Sequence, residues 1–152
     1  HGHFDHVMGI PPLKEKYDLP VYIHRLEEDV LESPQLNACA MIGANVSLKA
    51  DHLIEDGEEL SIAGARIKVL FTPGHTKGGV SYYIEDLNAV ICGDTLFEGS
   101  VGRTDLPTGS MGTLVRSIRE KLFVLDDEVS VLPGHGGATT IGWEKKYNPF
   151  VS

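Results

Sequence analysis

Short apolar runs alternate with loops rich in Gly, Pro and Asp along the chain, and this pattern predicts an α/β protein. Pro11-Pro12 suit the first turn of a helix running through Leu13–Tyr17, which Leu19-Pro20 ends. Val21–His24 reads as a short buried strand and Glu27–Leu31 as a short amphipathic helix stopped by Ser33-Pro34. From Gln35 to Glu55 the periodicity is weak, which predicts a mobile loop or short helical pieces, with His52 an ordinary surface histidine. Alternating apolar residues in Glu59–Ala63 and Ala65–Phe71 flank Gly64 and predict a hairpin. Val80–Ile84 predicts a strand, Glu85–Asn88 a turn and Ala89–Cys92 a buried strand, followed by a Gly-rich loop over Glu98–Pro107. Leu114, Ile118 and Leu122 recur at intervals of four and predict an amphipathic helix over Met111–Phe123. Val129–Leu132 is expected to be the last strand, and Ile141–Tyr147 a helix closed by Asn148-Pro149.

Composition narrows the function classes. With 152 residues the chain is one domain's worth, long enough to bury a core. Its formal charge of -9, from 22 acidic against 13 basic residues, argues against nucleic acid and anionic membranes as partners, since basic stripes supply that affinity. No run of 18 apolar residues is present, so no membrane-spanning helix is expected. Of the two cysteines, Cys92 lies in the apolar run Ala89–Cys92 and is expected to be a buried free thiol, which predicts a reducing, cytoplasmic setting.

The chemistry begins at the first residues, His1-Gly-His3-Phe-Asp5-His6. Side chains at i and i+2 of an extended segment point the same way, so His1 and His3 can grip one cation, while Asp5 and His6, past a turn, face a second. Imidazole and carboxylate donors without thiolate suit Zn²⁺, Fe or Mn²⁺. Such a cluster alone also fits a tag remnant or a surface patch. Three further positions argue for chemistry: His75, Asp94 and His135 each follow an apolar strand and stand beside a glycine. Loops at strand ends are where a rigid sheet positions binding groups, and a neighbouring glycine permits the sharp turn. His24, at a strand end, is expected to support the structure rather than bind a cation.

Together, His1-x-His3-x-Asp5-His6, Thr72-Pro-Gly-His75-Thr, Gly93-Asp94-Thr-Leu-Phe and Pro133-Gly-His135-Gly resemble the metallo-β-lactamase superfamily across essentially the whole chain. The resemblance implies an αβ/βα sandwich, two mixed sheets packed face to face between outer helices. It also implies that His1, His3 and His75 hold one metal and Asp5, His6 and His135 a second, with Asp94 bridging them. Asp5 and Asp94 are then the carboxylates assigned to catalysis. Two divalent cations are expected, Zn first and Fe or Mn as alternatives. Set ~3.5–4 Å apart, such ions lower the pKa of a bridging water and clamp the substrate oxygen, so that a metal-bound hydroxide attacks a carbonyl carbon. The superfamily domain normally has opening strands before its first His motif, so the resemblance implies an N-terminally incomplete domain over 1–152, with open apolar faces that favour a homo-oligomer.

The Gly93-Asp94-Thr95 motif is similar to that of glyoxalase II, ribonuclease Z and lactonase relatives, whereas β-lactamases proper lack the bridging Asp. The stretch from Phe97 to Pro107 and the ending Thr140–Phe150 resemble short bacterial glyoxalase II-like hydrolases, that is, hydroxyacylglutathione hydrolase without its C-terminal domain. A small-molecule thioester such as S-lactoylglutathione is the substrate this implies. Arg103 and Lys145 are the candidate substrate contacts, with an Arg103–Asp105 ion pair as the structural alternative for the arginine. Persulfide dioxygenase, a mononuclear iron enzyme, resembles the chain at the positions of His1, His75 and Asp94. Its final motif usually reads Pro-Ala-His-Asp, against Pro133-Gly134-His135-Gly136 here, which favours the hydrolase. A non-catalytic, truncated domain is the remaining alternative.

Overall fold

A computed structural model describes residues 1–151. The chain divides into two compact units, His1–Ile54 and Glu55–Ser152.

In the first unit, helix α1 (Phe4–Val7) leads into α2 (Ile10–Tyr17), which carries proline in its first turn and ends where Asp18 turns left-handed, φ 49°. Strand β1 (Tyr22–His24) follows, then a 3₁₀ turn over Arg25–Glu27 and helix α3 (Glu28–Glu32). His24 Nδ1 accepts from Leu26 N–H at 3.2 Å, so this histidine caps the turn after its strand. The 35–55 segment is more structured than its weak periodicity suggests. It holds a 3₁₀ turn (Cys39–Ile42) and a strand, β2 (His52–Ile54), which pairs in parallel with β1. Fully buried Asn37 pins the segment, its amide donating to Val46 O at 2.8 Å and its side-chain oxygen accepting from Cys39 N–H at 3.0 Å. Val7, Ile23 and Leu31 form the unit's small core. His52 is exposed, and its ring stacks on Tyr22 with centroids 4.6 Å apart.

The second unit is built on a mixed sheet. β3 (Glu59–Ile62) and β4 (Ala65–Phe71) form the expected hairpin, with β5 (Val80–Ile84) and β6 (Ala89–Gly93) continuing it antiparallel. Two two-residue strands, β7 (Leu96–Phe97) and β8 (Ser100–Val101), form a small hairpin inside the expected Gly-rich loop. β9 (Ser130–Pro133) then lies parallel to β6, and β10 (Thr139–Thr140) pairs with β9, so the 129–132 strand is not the last. The sheet order is β10-β9-β6-β5-β4-β3. Its strands give Leu70, Val90, Cys92 and Val131 to a core shared with helices α4 (Met111–Ser117) and α5 (Ile141–Tyr147). Leu114, Ile118 and Leu122 are all fully buried there, worth about 1.5–3 kcal/mol each.

The predicted helix over 111–123 changes character midway, and Ile118–Leu122 forms a π-helical turn closed by Phe123 N–H on Ile118 O at 2.8 Å. Residues four apart overshoot an α-helical turn by about 40° per step. The wider turn brings Leu122 back into line with Ile118 and Leu114. Both cysteines are buried and free, and burial pushes the Cys92 thiol up to about 12.

Candidate metal centre

Each unit contributes its own set of ligand-type side chains. In the first, His3 is extended (φ -64°, ψ 148°) and immediately precedes α1, so Asp5 and His6 fall within that helix. The His1 and His3 rings meet edge-on with centroids 4.8 Å apart, and the His1 and His6 rings are 4.2 Å apart. His6 Nε2 lies 3.6 Å from Asp5 Oδ2. The segment is fixed from below. Gly2 N–H donates to Glu27 Oε1 at 2.9 Å, and Glu27 is fully buried. A side chain at position 2 would bring its Cβ within 3.0 Å of Leu31 N, so only glycine lets the chain lie this close to α3 between two histidines.

In the second unit the three donors converge from three strand ends. His75 follows β4 through Thr72-Pro73-Gly74. Gly74 has φ 136°, and a Cβ there would run into the Leu114 backbone. Asp94 follows β6, and His135 follows β9, whose Gly134 N–H donates to Gly93 O at 2.8 Å and ties the two loops together. Asp94 Oδ2 lies 3.5 Å from His75 Nε2 and 3.4 Å from His135 Nε2. Ligand atoms on a tetrahedral ion at about 2.0–2.2 Å are separated by roughly 3.4 Å, so one Asp94 oxygen is spaced to share an ion with either imidazole. His75 and Asp94 are buried, whereas His135 is exposed.

The His75 tautomer follows from its partner. Nδ1 lies 2.7 Å from the carbonyl oxygen of Arg103, which only accepts, so Nδ1 carries the proton and Nε2 is left as the electron-pair donor facing Asp94. Gly102 makes that approach feasible. A Cβ on it would clash with Asp94 O and come within 3.3 Å of His75 Nδ1. Backbone support of this kind orients a metal-ligating histidine and raises its basicity. The donors are imidazole nitrogen and carboxylate oxygen, a set that fits Zn, Fe or Mn.

Arg103 and Lys145 sit differently. The Arg103 guanidinium forms a two-pronged pair with Asp105, at 2.6 and 2.7 Å, and this fork holds the exposed Asp105 carboxyl down to about 2. Lys145 Nζ donates to Asp127 at 2.6 Å and to Leu125 O at 3.1 Å.

Three groups around these side chains escape a reading of residue types, the Arg103 carbonyl and the buried carboxyls of Glu27 and Glu144. The Arg103 carbonyl is backbone and has no sequence signature. Glu27 stands three and four residues before buried Val30 and Leu31, and Glu144 three after buried Ile141. A carboxyl on the apolar face of a helix was the available signal in both cases.

A mixed sheet that presents histidines and an aspartate on the loops after its strands defines a metal-dependent hydrolase scaffold. Residues 1–135 match the family model for the metallo-beta-lactamase superfamily. The chain belongs to that superfamily, and its fold is the superfamily's α/β fold. Over its full length it is 47% identical to a Bacillus subtilis protein named probable metallo-hydrolase YqgX, covering 73% of that protein. It is 35% identical to hydroxyacylglutathione hydrolase GloC of Haemophilus influenzae, covering all of this chain and 73% of the relative. Among solved structures, BLEG-1 B3 metallo-beta-lactamase superposes with a TM-score of 0.95 at 39% identity, covering 100% of this chain and 74% of the other. TTHA1623 in a di-iron-bound form superposes with a TM-score of 0.85 at 40% identity, covering 99% and 74%. Among the described residues, no helix is long and apolar enough to cross a membrane.

Proposed function

We propose that the chain is a dinuclear metal-dependent hydrolase acting on a small-molecule thioester of the hydroxyacylglutathione kind. The observation that carries this reading is the position of Asp94 Oδ2, about equally far from His75 Nε2 and His135 Nε2. A carboxylate so placed suits a bridge between two ions, whereas the mononuclear iron reading has no use for His135. In this assignment His1, His3 and His75 hold one ion and Asp5, His6 and His135 the other, with Asp94 between them. Zn²⁺ suits the donor set, and the di-iron-bound form of TTHA1623 supports Fe as the alternative. When bound, such ions supply Lewis-acid chemistry, acidifying water and drawing electron density from a carbonyl oxygen.

The chain's own residues do the rest. The Arg103 carbonyl keeps the His75 proton on Nδ1 and so keeps Nε2 available. Asp94 presents one oxygen to both His75 and His135. Asp5 is exposed, and in this reading its carboxylate takes up the proton that water loses on attacking the thioester carbonyl. Arg103 and Lys145 are the proposed substrate contacts. Each has a carboxylate partner at 2.6 Å, Asp105 or Asp127, which a substrate carboxylate would have to displace. The name of GloC supports a glutathione thioester over other acyl donors.

The test is a substrate panel on the zinc- and iron-loaded chain. Hydrolysis of S-lactoylglutathione, with no oxygen uptake on glutathione persulfide and no β-lactam cleavage, is the expected result. Oxygen uptake on the persulfide, or β-lactam cleavage without thioester turnover, would overturn it.

A further inference from the structure

We infer that Glu144, outside the ligand set, is a positioning residue that holds the loops of Asp94, His75 and His135 in register. The inference rests on the metal-dependent reading above. Glu144 is fully buried on α5, and its two oxygens accept from both ends of that helix and from the β7–β8 hairpin. Thr139 Oγ1 donates at 2.7 Å, Asn148 Nδ2 at 2.7 Å, and Gly99 N–H reaches both oxygens at 3.1 and 3.3 Å. Asn148, one helical turn further and also fully buried, donates as well to Ser100 O at 2.9 Å.

These bonds reach the site by short covalent paths. Gly99 lies in the turn and Ser100 opens the second strand of the β7–β8 hairpin, which begins two residues after Asp94. The hairpin returns to Gly102, whose N–H donates to Thr95 O at 3.3 Å, and then to Arg103, whose carbonyl holds His75 Nδ1. Thr139 closes the loop that begins at His135. One buried carboxyl therefore clamps the exits of two ligand loops and, through Arg103, the ring of the third ligand. The bond from Gly99 on the β7–β8 hairpin is more than α5 needs for its own stability, because Thr140 already caps that helix. A glutamine at position 144 would turn an NH₂ group towards these donors and break at least one of the three bonds.

The experiment uses the 152-residue chain with Zn²⁺ as the probe, its affinity measured by chelator competition alongside circular dichroism and thermal melting. Glu144→Gln is expected to keep the fold and weaken Zn²⁺ binding about 10–100-fold, as loss of an outer support does. Thr139→Val, which removes one donor, is expected to give a smaller loss of the same kind. Ile118→Val, a core change that removes none of these hydrogen bonds, serves as the control for lost stability and is expected to bind as the wild type does. In the metal-free chain, ¹⁵N NMR of the imidazoles is expected to show His75 protonated at Nδ1 in the wild type and a mixture of tautomers in Glu144→Gln.

Wild-type Zn²⁺ affinity in a folded Glu144→Gln, or an equal loss in Ile118→Val, would overturn the inference. If Glu144→Gln does not fold, Thr139→Val decides it on the same two readouts. If the wild type takes up no Zn²⁺, the metal reading fails. The tautomer measurement then decides the positioning role alone, and an unchanged His75 signal would end it.

Discussion

The two halves of the ligand set are built in opposite ways. His1, His3, Asp5 and His6 are neighbours in sequence, and one extended turn running into α1 brings them together. Their support comes from the immediate neighbourhood, with Gly2 N–H on Glu27, Phe4 N–H on Asn37 O at 2.9 Å and close packing on α3. His75, Asp94 and His135 are scattered over more than a third of the chain, and three strands, two glycine-dependent turns and one buried carboxyl place them. A local cluster costs little to assemble, because its loop-closure entropy is small. A dispersed one acquires rigidity from the sheet that carries it. The comparison predicts that the second set loses geometry through mutations far away in sequence, and the first only through its immediate floor.

The largest effect is expected from the centre of the dispersed set. Asp94→Asn should remove at least one ion per chain and lower metal-dependent turnover by more than the roughly 100-fold typical of an outer support, as metal analysis and steady-state rates would show. Gly102→Ala comes next. Its methyl group must displace the Asp94 backbone and press on His75, so metal affinity should fall without any change in ligand residues. Glu27→Ala should strand the buried Gly2 N–H, costing about 1–3 kcal/mol in chemical denaturation and loosening His1 and His3. An equal effect of Glu27→Ala on the tautomer of His75 would break the distinction between the halves.

A smaller effect concerns alkaline pH. Burial raises the Tyr82 hydroxyl to about 12 from an ordinary 10, so the folded state holds its proton longer than the unfolded state does. This contribution is fully present below pH 10 and is lost as pH rises towards 12. Tyr82→Phe should therefore flatten the decline in stability over that interval. The smallest change is expected from Arg103→Gln. The pair with Asp105 is exposed and screened by solvent, so melting should barely move. A rise in KM for the thioester with kcat retained would give Arg103 a substrate role.

Much of this architecture was legible in the residues. The 59–71 hairpin, the strands at 80–84 and 89–93 and the closing helix announce themselves through alternation, glycine turns and caps. The strands that sequence reading misses, β2, β7, β8 and β10, have two or three residues each, too few for a period to register. They exist because partners elsewhere supply their hydrogen bonds, as β1 does for β2. The seven proposed ligands stand out in the sequence for a different reason. Imidazoles and a carboxylate beside glycines at strand ends have no use in a core. Their supports do not, since a backbone carbonyl and two buried glutamates differ from ordinary residues only in what they touch.

The most direct measurement is the number of metal ions bound per chain, in the wild type and in Asp94→Asn, after dialysis against trace Zn²⁺. A bridging Asp94 predicts two ions in the wild type and one or none in the variant. One ion in the wild type, or two in Asp94→Asn, would contradict the bridge on which the proposed chemistry depends.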